Sequence, residues 1–201
     1  MSCIIINEIM KEKKGEIRII GGKWKGKKIY FDLNDDLRPT PDRAKETLFN
    51  WLGQDLSEMR CLDLFSGTGA LGFEAFSRGA KKVTFVEKNK KYLQKIKKIS
   101  FEMNEKENFD FFCAECLNWV KANKAKNKYD LIFIDPPFNK NLINDLLFNI
   151  LEKDLLSEGG RIYFEFEKKL NFVIPKSLSL KKKKSLGKKS YVLAKVIYPS
   201  S

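Results

Sequence analysis

The stretch that decides the fold is DLFSGTGALG, residues 63–72, together with the apolar run that leads into it from residue 60. Its glycines allow a tight turn in which the chain leaves a strand, enters a helix and lets a ligand approach the backbone closely. From residue 60 onward, short apolar runs alternate with amphipathic stretches, which is typical of repeated βα units around a largely parallel sheet. The sequence therefore predicts an α/β core whose first turn is this glycine loop.

The strands of this core are predicted from apolar runs at residues 60–64, 82–87, 109–113, 131–135 and 161–166. The stretches between them are long enough for helices, so the connections should be right-handed crossovers. Two further β-rich runs, residues 177–184 and 190–198, are separated only by a short turn around Gly187. Because no helix fits between them, we expect a terminal antiparallel hairpin.

The chain before the core is predicted to form a small extension, residues 1–53, ahead of a main domain at residues 54–201. Residues 18–31, RIIGGKWKGKKIYF, place β-forming residues on either side of glycines and carry several lysines, which indicates a small twisted β element. After the rigid connector RPTP at residues 38–41, apolar residues at helical spacing predict a helix over residues 42–52 that a glycine ends.

Composition limits the class of protein. The 201 residues, 43% of them hydrophobic, suffice for one buried core with a small appendage. No apolar run is long enough to span a membrane, and residues 1–10 lack the features of a secretory signal, so we expect a cytoplasmic protein. The formal net charge of +13 favours a polyanion such as nucleic acid as the partner, although the lysine enrichment could equally reflect genome composition.

The four cysteines indicate neither a disulfide framework nor a metal site. Cys113 and Cys116 form a CxxC pair, but a structural zinc site needs four ligands and the chain contains no histidine. Cys3 and Cys61 complete the set at irregular spacings, unlike the dense cysteines of small secreted domains. We therefore predict reduced thiols and no bound metal.

The glycine loop has an acidic partner in Glu87, which ends the next predicted strand about twenty residues later, where a carboxylate can accept hydrogen bonds from ribose hydroxyls. The same spacing would suit a nicotinamide dinucleotide, and the glycines alone would suit a turn that binds nothing. Asp63 discriminates between a nicotinamide dinucleotide and S-adenosylmethionine, because its negative charge would repel a pyrophosphate and attract the ammonium of a methionine moiety. The sequence thus favours S-adenosylmethionine, with S-adenosylhomocysteine as product, over NAD.

Further cofactor contacts are predicted in the loops that follow these strands. Glu115 could accept a hydrogen bond from the adenine amino group, although a solvated loop carboxylate would have the same sequence. The residues predicted to contact the cofactor from these loops are Asp63, Phe65, Ser66, Gly67, Gly69, Glu87, Lys88, Glu115 and Cys116.

The tetrapeptide Asp135-Pro136-Pro137-Phe138 follows an apolar strand and is predicted to be catalytic. Its prolines fix an extended course and remove two backbone donors, leaving the Asp135 carboxylate and the Pro136 carbonyl as acceptors. Two acceptors that hold the hydrogens of a planar exocyclic amine can pull its nitrogen toward tetrahedral geometry, so that the lone pair faces a sulfonium methyl. Phe138 would stack on the target base. In isolation, the same residues could simply start a helix.

Four blocks of the chain resemble, in order and spacing, the RsmD family of bacterial small-subunit ribosomal RNA guanine-N2 methyltransferases. They are residues 18–26 (RIIGGKWKG), residues 37–40 (LRPT) with 46–52 (ETLFNWL), residues 63–72, and residues 135–138. The last two blocks are shared by many amino-group methyltransferases, whereas the first two are more particular to this family.

The resemblance implies a seven-stranded, Rossmann-like class I methyltransferase sheet and methyl transfer to the exocyclic N2 amine of a specific guanine. The substrate would be 16S rRNA within the 30S subunit or its assembly intermediate, and we expect a monomer. The resemblance also implies that Arg38 and Thr40 lie against the cofactor and that the basic β element touches RNA; without it, these features would be a helix-entry salt bridge and a solvated edge. The residues predicted to contact RNA are Arg18, Lys23, Trp24, Lys25 and Lys27.

Two positions depart from the family, and rival functions stay open. Lys45 stands where the family usually has Arg, whose bidentate contacts a Lys cannot reproduce, and Glu115 stands where Asn or Asp is common. A DNA adenine-N6 methyltransferase would use the same tetrapeptide but usually carries a target-recognition insertion, and a protein glutamine methyltransferase usually has Asn in place of Asp135. A non-catalytic RNA-binding assembly factor could retain the fold, although the intact Asp135 and glycine loop argue against it.

Overall fold

A computed structural model of the protein describes residues 14–32, 40–124, 128–137, 142–170 and 172–197. The strands of the main sheet are β3 (Arg60–Leu64), β4 (Lys82–Val86), β5 (Phe109–Phe112), β6 (Tyr129–Ile134), β7 (Leu156–Glu167), β8 (Leu178–Leu186) and β9 (Lys189–Val196). Their spatial order is β5-β4-β3-β6-β7-β9-β8. The strands from β3 to β7 pair in parallel, whereas β9 pairs antiparallel with both β7 and β8. The predicted α/β class, seven-stranded sheet and terminal hairpin are thereby confirmed.

Helices cover both faces of this sheet. They are α1 (Asp42–Leu52), α2 (Ala70–Ser77), α3 (Lys90–Glu102), α4 (Cys116–Ala122) and α5 (Leu142–Glu152). Side chains alternate between the faces along each strand, so that Phe133 packs in the cluster of α1, α2 and α3, and Ile132 packs in that of α4 and α5. A parallel sheet needs this coverage on two sides, because its strands are apolar on both faces.

Strand β7 begins earlier than its sequence suggests. It starts at Leu156 rather than at Arg161, and the pairing with β6 shifts between these two residues. Gly159 lies within the irregularity with a φ of +71°. A sequence of serine, glutamate and two glycines is typical of a turn, and here it forms a bulge inside a long strand.

The predicted basic β element forms its own antiparallel hairpin, β1 (Lys14–Arg18) and β2 (Lys28–Asp32), separate from the main sheet. A short 3-10 turn, Gly22–Trp24, connects the strands and docks on the last residue of α2. There the Ser77 hydroxyl donates to the carbonyl of Gly21 at 2.5 Å and accepts from the amide of Trp24 at 2.9 Å.

A buried carboxylate reinforces this docking. Glu74 of α2 has no exposed surface, and it accepts hydrogen bonds from the backbone amide of Ile20 and from Arg78 Nε, both at 2.8 Å. Ile17 and Ile29 of the hairpin belong to the same buried cluster as α1 and α2. The hairpin thus shares a hydrophobic core with the sheet, and the division into residues 1–53 and 54–201 stays a prediction.

Candidate active site

A pocket of about 440 Å³ lies at the carboxyl ends of the parallel strands. Open α/β sheets bind ligands at this edge, and the volume is in the usual range for small-molecule sites. The predicted site residues that line it are Thr40, Asp63, Phe65, Ser66, Gly67, Glu87, Lys88, Glu115, Cys116, Asp135, Pro136 and Pro137. The structure therefore brings the predicted cofactor loops and residues 135–137 of the tetrapeptide to one cavity. Gly69 does not line this cavity, and Arg38 and Phe138 lie outside the described residues.

The glycine loop owes its tight course to left-handed backbone conformations. Phe65, Gly67 and Gly69 have φ values of +60°, +51° and +78°. Glycine adopts this region without steric cost, and at Gly69 a Cβ would also come within 2.7 Å of the Phe73 ring. The loop can therefore deliver the chain from β3 directly into α2, with its backbone on the wall of the pocket.

Glu87 connects the glycine loop to the end of β4. Its Oε2 accepts from the Gly67 amide at 2.9 Å and its Oε1 accepts from the Asn89 amide at 2.8 Å. The side chain is 7% exposed and lines the pocket. Since each carboxylate oxygen can accept more than one hydrogen bond, these backbone contacts orient the group and leave acceptor capacity for the two hydroxyls of a ribose.

Asp63 lies at the end of β3 beneath the loop, where its Oδ2 accepts from the Gly72 amide in the first turn of α2 at 2.9 Å. The side chain is 3% exposed, and this burial raises the pKa of Asp63 well above its ordinary value, against the opposing effect of the Gly72 hydrogen bond. The nearby carboxylates of Asp135 and Glu87 raise it further. A cationic ligand beside Asp63 would relieve this penalty and favour the ionised form.

The pocket is acidic although the protein is basic. Among the described residues that line it, the carboxylates are Asp63, Glu87, Glu115 and Asp135, and the cationic side chains are Lys88 and Lys189. A site with an excess of carboxylates favours a ligand that carries positive charge and disfavours a pyrophosphate. The charge of the site thus agrees with the choice of S-adenosylmethionine over NAD.

Asp135 is the first residue after β6, and an ion pair holds it. Lys189 Nζ lies 3.0 Å from Asp135 Oδ1 and 2.7 Å from Glu165 Oε2. The other oxygen, Asp135 Oδ2, lies 3.4 Å from the Thr40 hydroxyl. Oδ1 is therefore tied to a cation, while Oδ2 has only a long contact with Thr40 in the described structure and can accept a hydrogen from a substrate amine.

Behind Lys189 lies a chain of buried hydrogen-bonding groups. Tyr163 donates its hydroxyl hydrogen to Glu165 Oε1 at 2.8 Å, and Glu165 is 2% exposed. Burial raises the pKa of Glu165 to about 7, with a further contribution from Asp135 that Lys189 opposes. Burial alone would lower the pKa of Lys189, but the two carboxylates outweigh it and raise that pKa. Lys189 is thus held in its charged form between Asp135 and Glu165.

Glu115 and Cys116 have structural contacts at the start of α4. Glu115 is the N-cap of that helix and accepts from the Asn118 amide at 2.9 Å. Cys116 Sγ accepts from the Phe65 amide at 3.2 Å, and burial raises the pKa of its thiol to about 12. Cys116 is therefore an inert thiol that fixes the glycine loop, and Glu115 keeps one oxygen for a ligand.

Lys45, one of the two departures from the family, is buried away from the pocket lining with 1% of its surface exposed. Its ammonium donates to the backbone carbonyl of Arg18 and pairs with Asp42 at 2.9 Å. The lysine thus connects α1 to the end of β1, and its contacts are to a carbonyl and a single carboxylate oxygen, which a compact ammonium can satisfy.

The residues predicted to touch RNA lie away from the pocket. The turn that carries Lys23, Trp24 and Lys25 docks on the end of α2, about 10 Å along the helix axis from the end that meets the pocket. Trp24 packs on Phe76 with ring centroids 5.0 Å apart, and Lys23 pairs with Glu105 at 2.6 Å. Arg18 and Lys27 are exposed nearby. The structure does not bring this group to the site, and a role in RNA binding stays a prediction.

Sequence reasoning missed Lys189, Glu165 and Tyr163. A partial indication was present, since Glu165 interrupts the apolar strand RIYFEFE on the face that Tyr163 shares. A charged residue inside a buried strand requires a partner, and the partner could have been sought among the lysines of the following hairpin. Asn89, Tyr92 and Leu142, which also line the pocket, have no such indication.

Comparison with known proteins gives consistent results. The family model described as Conserved hypothetical protein 95 matches residues 17–195. Ribosomal RNA small subunit methyltransferase D of Haemophilus influenzae is 40% identical over 181 residues, which is 90% of this chain and 94% of that protein. The solved structure of yhhF from Escherichia coli is 34% identical with a TM-score of 0.81, covering 90% of this chain and 98% of that one. HI0767 from Haemophilus influenzae is 37% identical with a TM-score of 0.79, covering 92% and 100%.

These matches span both the hairpin that precedes the core and the sheet with its acidic pocket. They agree with the four sequence blocks that first suggested the relationship, and they extend over nearly all of the chain and of its relatives. The chain belongs to the RsmD family of methyltransferases.

Proposed function

We propose that this protein transfers a methyl group from S-adenosylmethionine to the exocyclic N2 amine of a guanine in 16S rRNA. The substrate is the 30S subunit or its assembly intermediate, and the protein acts in the cytoplasm as a monomer. The observation that carries the proposal is the presence of Asp135 and Pro136 in the same cavity as Asp63 and Glu87. An acceptor pair for an amine thus adjoins an acidic site for a cationic cofactor.

S-adenosylmethionine is the cofactor that the described residues fit. Glu87 is oriented by two backbone amides and retains acceptor capacity for ribose hydroxyls. Asp63 is a buried carboxylate whose burial penalty an ammonium group would relieve. When bound, the cofactor supplies an electrophilic methyl group on a sulfonium.

The residues around Asp135 prepare the amine. Asp135 Oδ2 and the Pro136 carbonyl can each accept one N–H of a guanine amine, which favours a nitrogen lone pair directed away from the ring plane. Lys189 holds Asp135 Oδ1 and therefore limits rotation of the carboxylate. The positive charge that develops on the nitrogen is stabilised by Asp135, and the proton released after transfer leaves through this acceptor. The acceleration depends on positioning and electrostatics.

Support for rRNA rather than DNA comes from the relatives. The Haemophilus influenzae relative is named for the small-subunit ribosomal RNA, and it aligns over 94% of its length. An Asp-Pro-Pro-Phe tetrapeptide alone would serve an adenine amine equally well, so the nature of the base is tested directly.

In the test, the purified protein is incubated with labelled S-adenosylmethionine and one of three substrates. These are 30S subunits that lack the modification, the naked rRNA, and duplex DNA. Labelled nucleosides are then identified by mass spectrometry. We expect N2-methylguanosine from 30S subunits or their RNA, and loss of the label with Asp135→Ala. Label in N6-methyladenine would assign the DNA activity instead. Binding of S-adenosylhomocysteine without any transfer would indicate a non-catalytic assembly factor.

A further inference from the structure

The surface between α1 and the edge strand β8 is a groove lined by basic residues. Two adjoining clefts that share Trp51 make up this α1–β8 groove. Its cationic side chains are Arg43, Arg161, Lys181, Lys182, Lys184 and Lys195. No carboxylate lines either cleft within the described residues. The wider cleft, about 440 Å³, is the lower one, between Trp51 and the start of β7.

The direction of the lysines follows from the strand register. Lys182 pairs with Leu193 and Lys184 pairs with Tyr191, and both of these β9 residues belong to the buried cluster beneath α1. Lys182 and Lys184 therefore project on the α1 face of the sheet, because side chains at alternate positions share a face. Lys184 reaches across the groove to the Thr47 hydroxyl at 3.4 Å. Among the described residues, neither lysine forms an ion pair with a carboxylate.

The upper end of the groove lies near the active site, although the two share no lining residue within the part of the chain that the structure describes. Tyr163, which donates to Glu165 behind Asp135, also lines the groove. Helix α1 begins just after Thr40, which lines the pocket, and extends about 12 Å from Arg43 to Trp51 at 1.5 Å per residue. That length corresponds to about three stacked nucleotides at ~3.4 Å each. Half-buried Trp51 offers an aromatic surface at the middle of the groove.

The geometry points to the α1–β8 groove as the surface that binds the phosphate backbone of RNA flanking the target base. This inference rests on the proposed function and names where its polymer substrate lies. A row of cations that have no carboxylate partner among the described residues, and that begins near Thr40 and the active-site pocket, would neutralise successive phosphates and release their counterions. Lysines on an edge strand also discourage pairing with other sheets. Charge of either sign would serve that role, and the role would not call for a cationic or aromatic surface on the facing helix α1.

The experiment compares three double variants that make the same change in net charge. K182E/K184E reverses charge in the groove. K25E/K27E reverses it on the turn between β1 and β2, and K121E/K124E reverses it at the carboxyl end of α4, on the opposite face of the sheet. Each is titrated with a short fluorescein-labelled single-stranded RNA over a range of salt concentrations. Binding of S-adenosylhomocysteine and thermal unfolding check that each variant folds, and K182Q/K184Q replaces K182E/K184E if it does not.

We expect K182E/K184E to weaken RNA binding by at least about tenfold at low salt, and to reduce the slope of log affinity against log salt by about 1.4 for two lost contacts. At about 0.15 M salt, where the Debye length is about 8 Å, K121E/K124E should change the affinity by less than about twofold, because screening limits the effect of distant charges. Equal losses of RNA affinity in K182E/K184E and K121E/K124E, or a loss confined to K25E/K27E, would overturn the inference. So would unchanged RNA affinity in K182E/K184E, or wild-type binding to vesicles of anionic phospholipid without binding to RNA.

This assay measures RNA binding in the absence of S-adenosylmethionine. A wild-type protein that binds RNA through the groove but methylates nothing would therefore refute the proposed reaction and leave the surface assignment standing. Methyl transfer that persists in K182E/K184E with unchanged KM for 30S subunits would refute the surface and leave the reaction standing.

Discussion

Lys189 Nζ lies between two carboxylates, 3.0 Å from Asp135 Oδ1 and 2.7 Å from Glu165 Oε2. Glu165 is 2% exposed, so the ammonium contacts a buried carboxyl group and holds the predicted catalytic carboxylate at the same time. The hairpin that ends the sheet is thereby connected to the pocket by a side chain. Lys189 is a positioning residue in this arrangement, because it acts on the amine through Asp135.

Replacing Lys189 with methionine should lower kcat for methyl transfer by about 100-fold, the scale of loss expected when a reacting group is misplaced by about 1 Å. Affinity for S-adenosylhomocysteine should change little, since Asp63 and Glu87 keep their contacts. Steady-state kinetics on unmodified 30S subunits and calorimetric titration of the product measure the two effects.

Lys189→Arg retains the cation and should recover part of the lost kcat. The double variant K189M/E165Q removes the buried carboxylate together with its partner, and therefore controls for misfolding. Wild-type kcat in K189M, or a parallel loss of cofactor affinity in a folded K189M, would show that the ion pair does not position Asp135.

Glu165 gives the protein a pH-dependent stability. Burial, with a smaller contribution from Asp135, raises the pKa of Glu165 from 4.5 to about 7 in the folded protein. Since the unfolded chain loses this proton at lower pH, ionisation of Glu165 should cost the folded state stability as pH rises from about 4.5 to about 7. Above that range its contribution should be constant.

The variant Glu165→Gln cannot ionise at this position and should escape that loss. Its free energy of unfolding relative to the wild type should therefore rise by about 3 kcal/mol across this pH range, at about 1.36 kcal/mol per pKa unit. Urea denaturation of both proteins at several pH values measures the difference. A difference that stays constant with pH would mean that Glu165 titrates normally.

The sequence predicted those parts of the site that depend on short-range order. The glycine loop and Glu87 follow consecutive strands, and adjacent parallel strands bring their carboxyl ends together, so their meeting could be anticipated. The terminal hairpin was equally visible, because Gly187 stands between two β-rich runs with no room for a helix.

Lys189 could not be placed in this way. It reaches Asp135 from β9, a strand separated from β6 by β7, and only the length of its side chain brings the two groups together. The docking of the β1–β2 hairpin could not be predicted from the sequence for a similar reason. It depends on Glu74 in the apolar helix α2, which accepts a hydrogen bond from the backbone amide of Ile20, 54 residues away in the chain. Contacts of this kind depend on tertiary packing and leave no periodic pattern.

Glu87→Gln should weaken binding of S-adenosylhomocysteine by about tenfold or more, because a hydrogen bond to a charged group contributes roughly 1.5–3 kcal/mol. The glutamine side chain retains one acceptor oxygen, whereas the glutamate carboxylate supplies two, and these two also accept from the backbone amides of Gly67 and Asn89. Glu115→Gln is the comparison variant within the same pocket and should have the smaller effect, since its amide oxygen can still cap α4 and accept from the ligand. Calorimetry of both variants checks the prediction, and a larger effect at Glu115 would reverse the assignment of the ribose site.

Glu74→Ala should destabilise the protein by about 3–5 kcal/mol, since it leaves the buried Arg78 guanidinium without its carboxylate. It also removes the acceptor of the Ile20 amide, so the β1–β2 hairpin should lose protection along with the core. Urea denaturation measures the free energy, and hydrogen exchange at Ile20 reports on the hairpin.

Lys81→Ala is the control for this change, because it breaks an exposed ion pair with Glu58 and should have little effect. Because the hairpin and the sheet share one buried cluster, we expect a single unfolding transition in the wild type and in both variants. If residues 1–53 formed an independent domain instead, Glu74→Ala would separate the curve into two transitions, with the Ile20 amide exchanging in the first.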